Sequence, residues 1–262
     1  MIKQHVKVIK VGGKIVEEVD SLKDFLELFS TMSGHKILVH GGGRSATKIA
    51  KLMGVETTMV EGRRITDAAM LNVVVMVYGG LVNKQIVAKL QAKGINALGI
   101  TGTDMNLIRA EKRPVKDIDY GYVGDVTKVD VSVLTNLIKE DVTVVIAPLT
   151  HDGNGQMLNT NADTIAAEVA KALAKVFDVE LIYCFEKSGV LYDAEDDNSV
   201  IPIITPSSFE ELIEKKIVQG GMIPKLNNAV DAVLSGVNEV RITKASNLNN
   251  DLKGTKFNLL ID

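Results

Sequence analysis

The sequence predicts a three-layer α/β/α sandwich around a central, mostly parallel sheet, with β-hairpins projecting from it. Three observations lead there: β-branched runs that stop at glycine turns, helical periodicity after those turns, and regular alternation of the two patterns along the chain. Val6-Lys7-Val8-Ile9-Lys10-Val11 reads as a first strand ended by Gly12-Gly13. Residues 22–32 follow with apolar Leu22, Phe25, Leu26, Leu28 and Phe29 near a 3.6-residue period, with Ser21 as the expected cap and Gly34 as the stop. Lys36-Ile37-Leu38-Val39-His40 repeats the strand, Gly41-Gly42-Gly43 repeats the turn, and a helix is expected to run to Met53 before Gly54. Later strands are expected at 96–100, 142–147, 179–185 and 239–242, with helical patterns between most of them. Segments 57–65 and 105–130 break the alternation and read as hairpins.

Composition narrows the partner. The 262 residues are 46% apolar, enough for one large domain, and 30 basic against 33 acidic residues give a net charge of −3 with no basic stripe. Nucleic acid and anionic membrane surfaces are therefore not expected partners, and a small molecule is. The single cysteine, Cys184, lies in a strand-like run and excludes an internal disulfide. With no secretory pattern at Met1-Ile2-Lys3-Gln4-His5, the expected location is the cytoplasm. The apolar stretch 70–82 is shorter than the ~18 residues of a membrane span and reads as a buried helix or an oligomer contact.

Consecutive glycines at two strand-to-helix junctions expose backbone N–H groups where anionic oxygen is stabilised, at the sheet edge where such folds bind ligands. Lys10 shares strand parity with Val6 and Val8, so its ammonium leaves an apolar side at the carboxyl end of the strand, where a cation wants an anion. Lys225 follows Gly220-Gly221-Met222-Ile223-Pro224, a glycine loop with proline suited to a first helical position. Asn159-Thr160-Asn161-Ala162-Asp163 precedes an apolar helix over 164–176, and capping accounts for only one of its polar side chains. Arg64 can grip a carboxylate through two parallel hydrogen bonds. Two other readings compete. Gly41 to Ala46 with Glu61 satisfies a dinucleotide fingerprint and suggests an NAD-dependent oxidoreductase, although the glycines follow the second strand. A non-catalytic sensor of amino acids or nucleotides would keep the glycine turns but not the paired lysines. The phosphate loop of P-loop enzymes is absent. His5, His35, His40 and His151 lack metal-ligand spacing; His35 and His151 read as loop residues and His40 as strand-end packing.

VIKVGGK, HGGG, GRRITD, LNTNAD and GGMIPKL occur in that order across almost the whole chain. This set resembles the N-acetylglutamate kinase branch of the amino acid kinase family. The resemblance implies a carbamate kinase-like fold in a single domain over 1–262, with a lobe over 1–172 for the acyl-amino acid and dimerisation and a lobe over 173–262 for nucleotide. It implies transfer of the ATP γ-phosphoryl group to the γ-carboxylate of an N-acylated glutamate, a step of arginine biosynthesis, with Mg²⁺ on the nucleotide. Acetyl, succinyl and carrier-linked glutamate or aminoadipate all remain open. Lys10 and Lys225 are implied to stabilise the transferring group, with Asp163 between them. Gly41, Gly42, Gly43, Arg64 and Asn159 are implied for the acyl-amino acid, and Gly12, Gly13, Glu186 and Gly189 for the nucleotide beside both lysines. A homodimer insensitive to arginine is expected, because arginine-inhibited members carry an extra N-terminal helix. Met70, Val73, Val74, Val77 and Leu81 are candidates for the dimer contact or for burial within one subunit. A glutamate γ-carboxylate, with a pKa of about 4.3, is already ionised at neutral pH and needs no general base.

Overall fold

The computed structural model describes residues 3–60, 62–220 and 222–259. Strand β1 (His5–Val11) lies at the centre of an eight-stranded sheet, because both its faces are apolar: Val6 and Val8 enter one core, Ile9 and Val11 the other. Its parallel neighbours are β2 (His35–His40) and β11 (Asp178–Phe185). Between these lie, in chain order, α1 (Gly13–Glu17), α2 (Val19–Thr31), α3 (Gly43–Leu52), the hairpin strands β3 (Met59–Val60) and β4 (Arg63–Arg64), and α4 (Ala68–Val74). Next come α5 (Asn83–Gln91), β5 (Ala97–Ile100), β6 (Ile108–Lys112), β7 (Gly124–Val129), α6 (Val131–Lys139), β8 (Thr143–Ile146), β9 (Leu149–His151), β10 (Met157–Asn159) and α7 (Ala162–Ala174). After β11 come β12 (Ile203–Ile204), α8 (Pro206–Glu214), α9 (Met222–Leu234), β13 (Glu239–Lys244) and β14 (Thr255–Phe257).

The sheet order is β12-β14-β13-β11-β1-β2-β8-β5, and every pairing is parallel except β13 with β14. Helices α6, α7, α8 and α9 contribute to the core on the Val6/Val8 face, while α2, α3, α4 and α5 contribute to the core on the Ile9/Val11 face. The expected three layers are present.

Several local expectations need correction. Helix α2 begins at Val19, before Ser21, and Ser21 Oγ donates to Glu18 Oε2 instead of capping the backbone. Segment 105–130 is no isolated hairpin: β6 and β7 belong to a four-stranded sheet, β10-β9-β6-β7, that shares the aliphatic core through Leu107 and Ile108. His35 opens β2 and His151 closes β9, so neither is a loop residue. Pro224 sits inside the first turn of α9 rather than at its start, a place where its missing N–H is still not required.

The apolar stretch 70–82 is part of something longer. Helix α4 passes through a π-helical segment, Val75–Val82, directly into α5, giving a continuous helix Ala68–Gln91 of 24 residues. By length and composition it could cross a membrane, yet half of its most apolar window is buried inside this chain. Met70, Val73, Val74 and Val77 face the core, so of the five dimer candidates only Leu81 remains exposed, beside Met76.

Candidate active site

The two glycine turns meet because β1 and β2 are adjacent. A Cβ on Gly41 would stand 3.2 Å from the Gly13 nitrogen, so the backbones approach as only glycine allows. A Cβ on Gly42 would come 2.9 Å from the ring of Tyr78, which the π-helical segment brings against the turn. His40 anchors the turn from below. Fully buried, its Nδ1–H donates to the Gly41 carbonyl (2.7 Å), and its Nε2 accepts from the Asn83 amide (3.2 Å), which also donates to the Val145 carbonyl (3.0 Å). Burial holds the imidazole pKa down at about 4, so it is neutral, with the proton on Nδ1 as this network requires.

On the Val6/Val8 face, Lys10 emerges at the end of β1. Its Nζ lies 2.7 Å from Asp163 Oδ1, as a charge contact rather than an aligned hydrogen bond, since that oxygen has no hydrogen-bond partner. Asp163 stands in the first turn of α7, whose N-cap Asn161 accepts from the Asp163 and Thr164 amides. Tyr183 braces the same turn by donating to the Asp163 carbonyl (3.1 Å), and it stacks on Phe185 at 5.9 Å. Lys10 Nζ lies 5.2 Å and Lys225 Nζ 4.6 Å from the centre of the Phe185 ring. The two ammonium groups, 215 positions apart in sequence, thus converge on one aromatic ring, a contact that favours cations.

Two cavities adjoin here. A cleft of about 630 Å³ is lined by Lys10, Gly12, Gly13, Gly41, Gly42, Gly43, Glu186, Gly189 and Lys225, among others. A smaller cavity of about 190 Å³ is lined by Gly41, Gly42, Gly43, Arg64, Tyr78, Arg113 and Asn159, among others. The triple-glycine turn is their common wall. Asp163 is absent from both linings, but it touches Lys10 and lines a further pocket with Lys225. Every site residue expected from sequence therefore falls within one connected region. Glu61 and Gly221 lie outside the described residues.

Arg64 is buried, and its Nη2 donates to the Gly43 carbonyl (2.7 Å) and Thr47 Oγ1 (2.9 Å), which hold the guanidinium at the smaller cavity. Arg63, next in the hairpin, is exposed. Asn159 donates to Thr66 Oγ1 (3.0 Å). Sequence reasoning missed Tyr78, Tyr183 and Arg113. Arg113 is held by Asp125 and leaves Nη1 buried without a partner at the smaller cavity. It lies one residue beyond β6, in parity with the exposed Arg109 and Glu111, so no local signal flagged it.

A model of the amino acid kinase family matches residues 5–244. The acetylglutamate kinase of Bacteroides thetaiotaomicron is 63% identical over 256 residues, covering 98% of this chain and 99% of that one. The chain belongs to the amino acid kinase family. Among solved structures, smu.665 of Streptococcus mutans has a TM-score of 0.77 at 29% identity, over 97% of this chain and 98% of that one. Carbamate kinase of Giardia lamblia bound to AMP-PNP shares the fold at a TM-score of 0.70 and 14% identity, over 97% and 98%. In this amino acid kinase, the glycine-walled cleft places backbone N–H groups and two ammonium groups side by side, donors of the kind that stabilise phosphate charge.

Proposed function

We propose that this kinase transfers the γ-phosphoryl group of ATP to the γ-carboxylate of N-acetyl-L-glutamate, forming an acyl phosphate for arginine biosynthesis. The carrying observation is the shared turn: Gly41-Gly42-Gly43 lines both the cavity of Arg64 and Asn159 and the adjoining cleft of Lys10 and Lys225. An acceptor held by its α-carboxylate on Arg64 presents its distal carboxylate to the glycine turn, and the nucleotide presents its terminal phosphate from the other side. The acceptor oxygen bonds to phosphorus as the bond to the ADP oxygen breaks, and no proton need move, because the acceptor is already ionised. Lys10 and Lys225, with the glycine amides, spread the charge on the transferring group, and Asp163 sets the direction of the Lys10 ammonium.

The ammonium groups of Lys10 and Lys225 and the glycine amides of the cleft suit phosphates, so Mg²⁺ would be carried on phosphate oxygens and water, neutralising part of their charge. In this reading residues 1–172 bind the acyl-amino acid and residues 173–262 the nucleotide, and the enzyme is a cytoplasmic homodimer. Incubation with ATP, Mg²⁺ and N-acetylglutamate should yield a hydroxamate when hydroxylamine traps the acyl phosphate. No hydroxamate with any acylated glutamate or aminoadipate would sink the proposal.

One observation favours a second reading of the acyl group. Arg113 Nη1 is buried at the acceptor cavity without a partner, a costly state for a guanidinium unless a ligand completes it. N-succinylglutamate offers a further carboxylate there, and N-acetylglutamate does not. A larger kcat/KM for the succinyl compound, reversed by Arg113→Ala, would decide for it.

A further inference from the structure

Two cations in the nucleotide cleft have no role in the mechanism above. Lys14 follows the first glycine turn, Arg44 follows the second, and both line the cleft that holds Lys10 and Lys225. Their charged ends meet on one acid: Lys14 Nζ is 3.3 Å from Glu186 Oε2, and Arg44 Nη2 is 3.9 Å from Glu186 Oε1. These three side chains are between two-fifths and three-fifths exposed, so each can turn without disturbing the core. One carboxylate shared between two cations leaves positive charge in excess, and pairs this open to water are weak.

A triphosphate outcompetes a lone carboxylate for such a pair. It carries about four negative charges at neutral pH, and its oxygens match the two-pronged guanidinium fork as well as a carboxylate does. Glu186 is also the acid expected from sequence to contact the nucleotide, yet its oxygens face cations rather than an open donor-seeking wall.

We propose that Lys14 and Arg44 are phosphate-binding residues of the nucleotide site, and that Glu186 holds them when no nucleotide is bound and releases them to the triphosphate. Glu186 then competes with the nucleotide instead of ligating it. This inference rests on the kinase reading of the cleft, and it adds two recognition groups and reverses the role of a third.

The test is calorimetric titration of the full-length protein with ATP, ADP and AMP in the presence of Mg²⁺, without acceptor. Arg44→Ala and Lys14→Ala should each weaken ATP about tenfold, ADP less, and AMP within about twofold. Glu186→Gln should tighten ATP. A purely structural role would weaken all three nucleotides equally, and that result would overturn the proposal. So would ATP affinity within about twofold of wild type in both alanine variants, or weaker ATP binding by Glu186→Gln. If the wild-type protein binds no ATP, the kinase reading itself falls. If it does bind and the variants match it, only the present inference falls.

Discussion

Lys10 is 7% exposed, yet it keeps a carboxylate at 2.7 Å and an aromatic ring at 5.2 Å. Such a group is held in place before any phosphate arrives, and preorganised charge acts chiefly on the transition state. Lys10→Ala should lower kcat by about a hundredfold or more while KM for ATP changes little, as steady-state kinetics in both substrates would register. A large rise in KM with kcat intact would assign Lys10 to ground-state binding instead. Arg64 should behave oppositely, because its fork is anchored on Gly43 and Thr47 and lines the smaller cavity proposed for the acceptor. Arg64→Lys should raise KM for the acylated glutamate about tenfold and leave KM for ATP near wild type. At this scale sequence was legible where strand parity or a motif carried the message, as for Lys10 and the glycine turns. Arg113 and Tyr78 were not, since what makes them matter is a cavity assembled from segments far apart in the chain.

The helix Ala68–Gln91 shows why element boundaries were harder. Its apolar residues suggest a helix at once, but a π-helical stretch repeats at a longer interval than 3.6 residues, so the inward face could not be assigned from a regular period. That stretch sets Tyr78 against Gly42 and leads into Asn83, which meets His40. Gly42→Ala would drive a methyl into the Tyr78 ring, an overpacking that typically costs about 1–3 kcal/mol. The buried His40 gives a pH signature. In the unfolded chain its imidazole takes a proton near pH 6.5, whereas the native form resists until about 4. The unfolded state therefore binds more protons between these values, and stability falls as pH drops through that window. Urea midpoints should register a loss between pH 7 and 5 on the order of 2 kcal/mol greater in wild type than in His40→Asn. An equal loss in both proteins would remove His40 from the account.

At the scale of the molecule, the alternation of strands and helices was readable because a parallel sheet covered on both faces imposes apolar strands and one-sided helices. Less readable was the joining of 105–130 to β9 and β10, since nothing local signals pairing between distant strands. Assembly is testable at the same scale. With Met70, Val73, Val74 and Val77 committed to the core, Met76 and Leu81 are the exposed large apolar side chains that the helix Ala68–Gln91 offers a partner copy. Leu81→Glu combined with Met76→Glu should convert a sedimenting dimer into a monomer, and a monomeric wild type would end that proposal. One feature of the sheet reaches further. Lys10 and Phe185 stand at the ends of neighbouring ladder-bonded strands, so their separation is set by the backbone lattice itself. The proposed acceptor side, by contrast, is furnished by a short hairpin and by strands of a second sheet. Rewriting those appendages could retarget such a scaffold toward other acids while its phosphorus-handling machinery stayed in register.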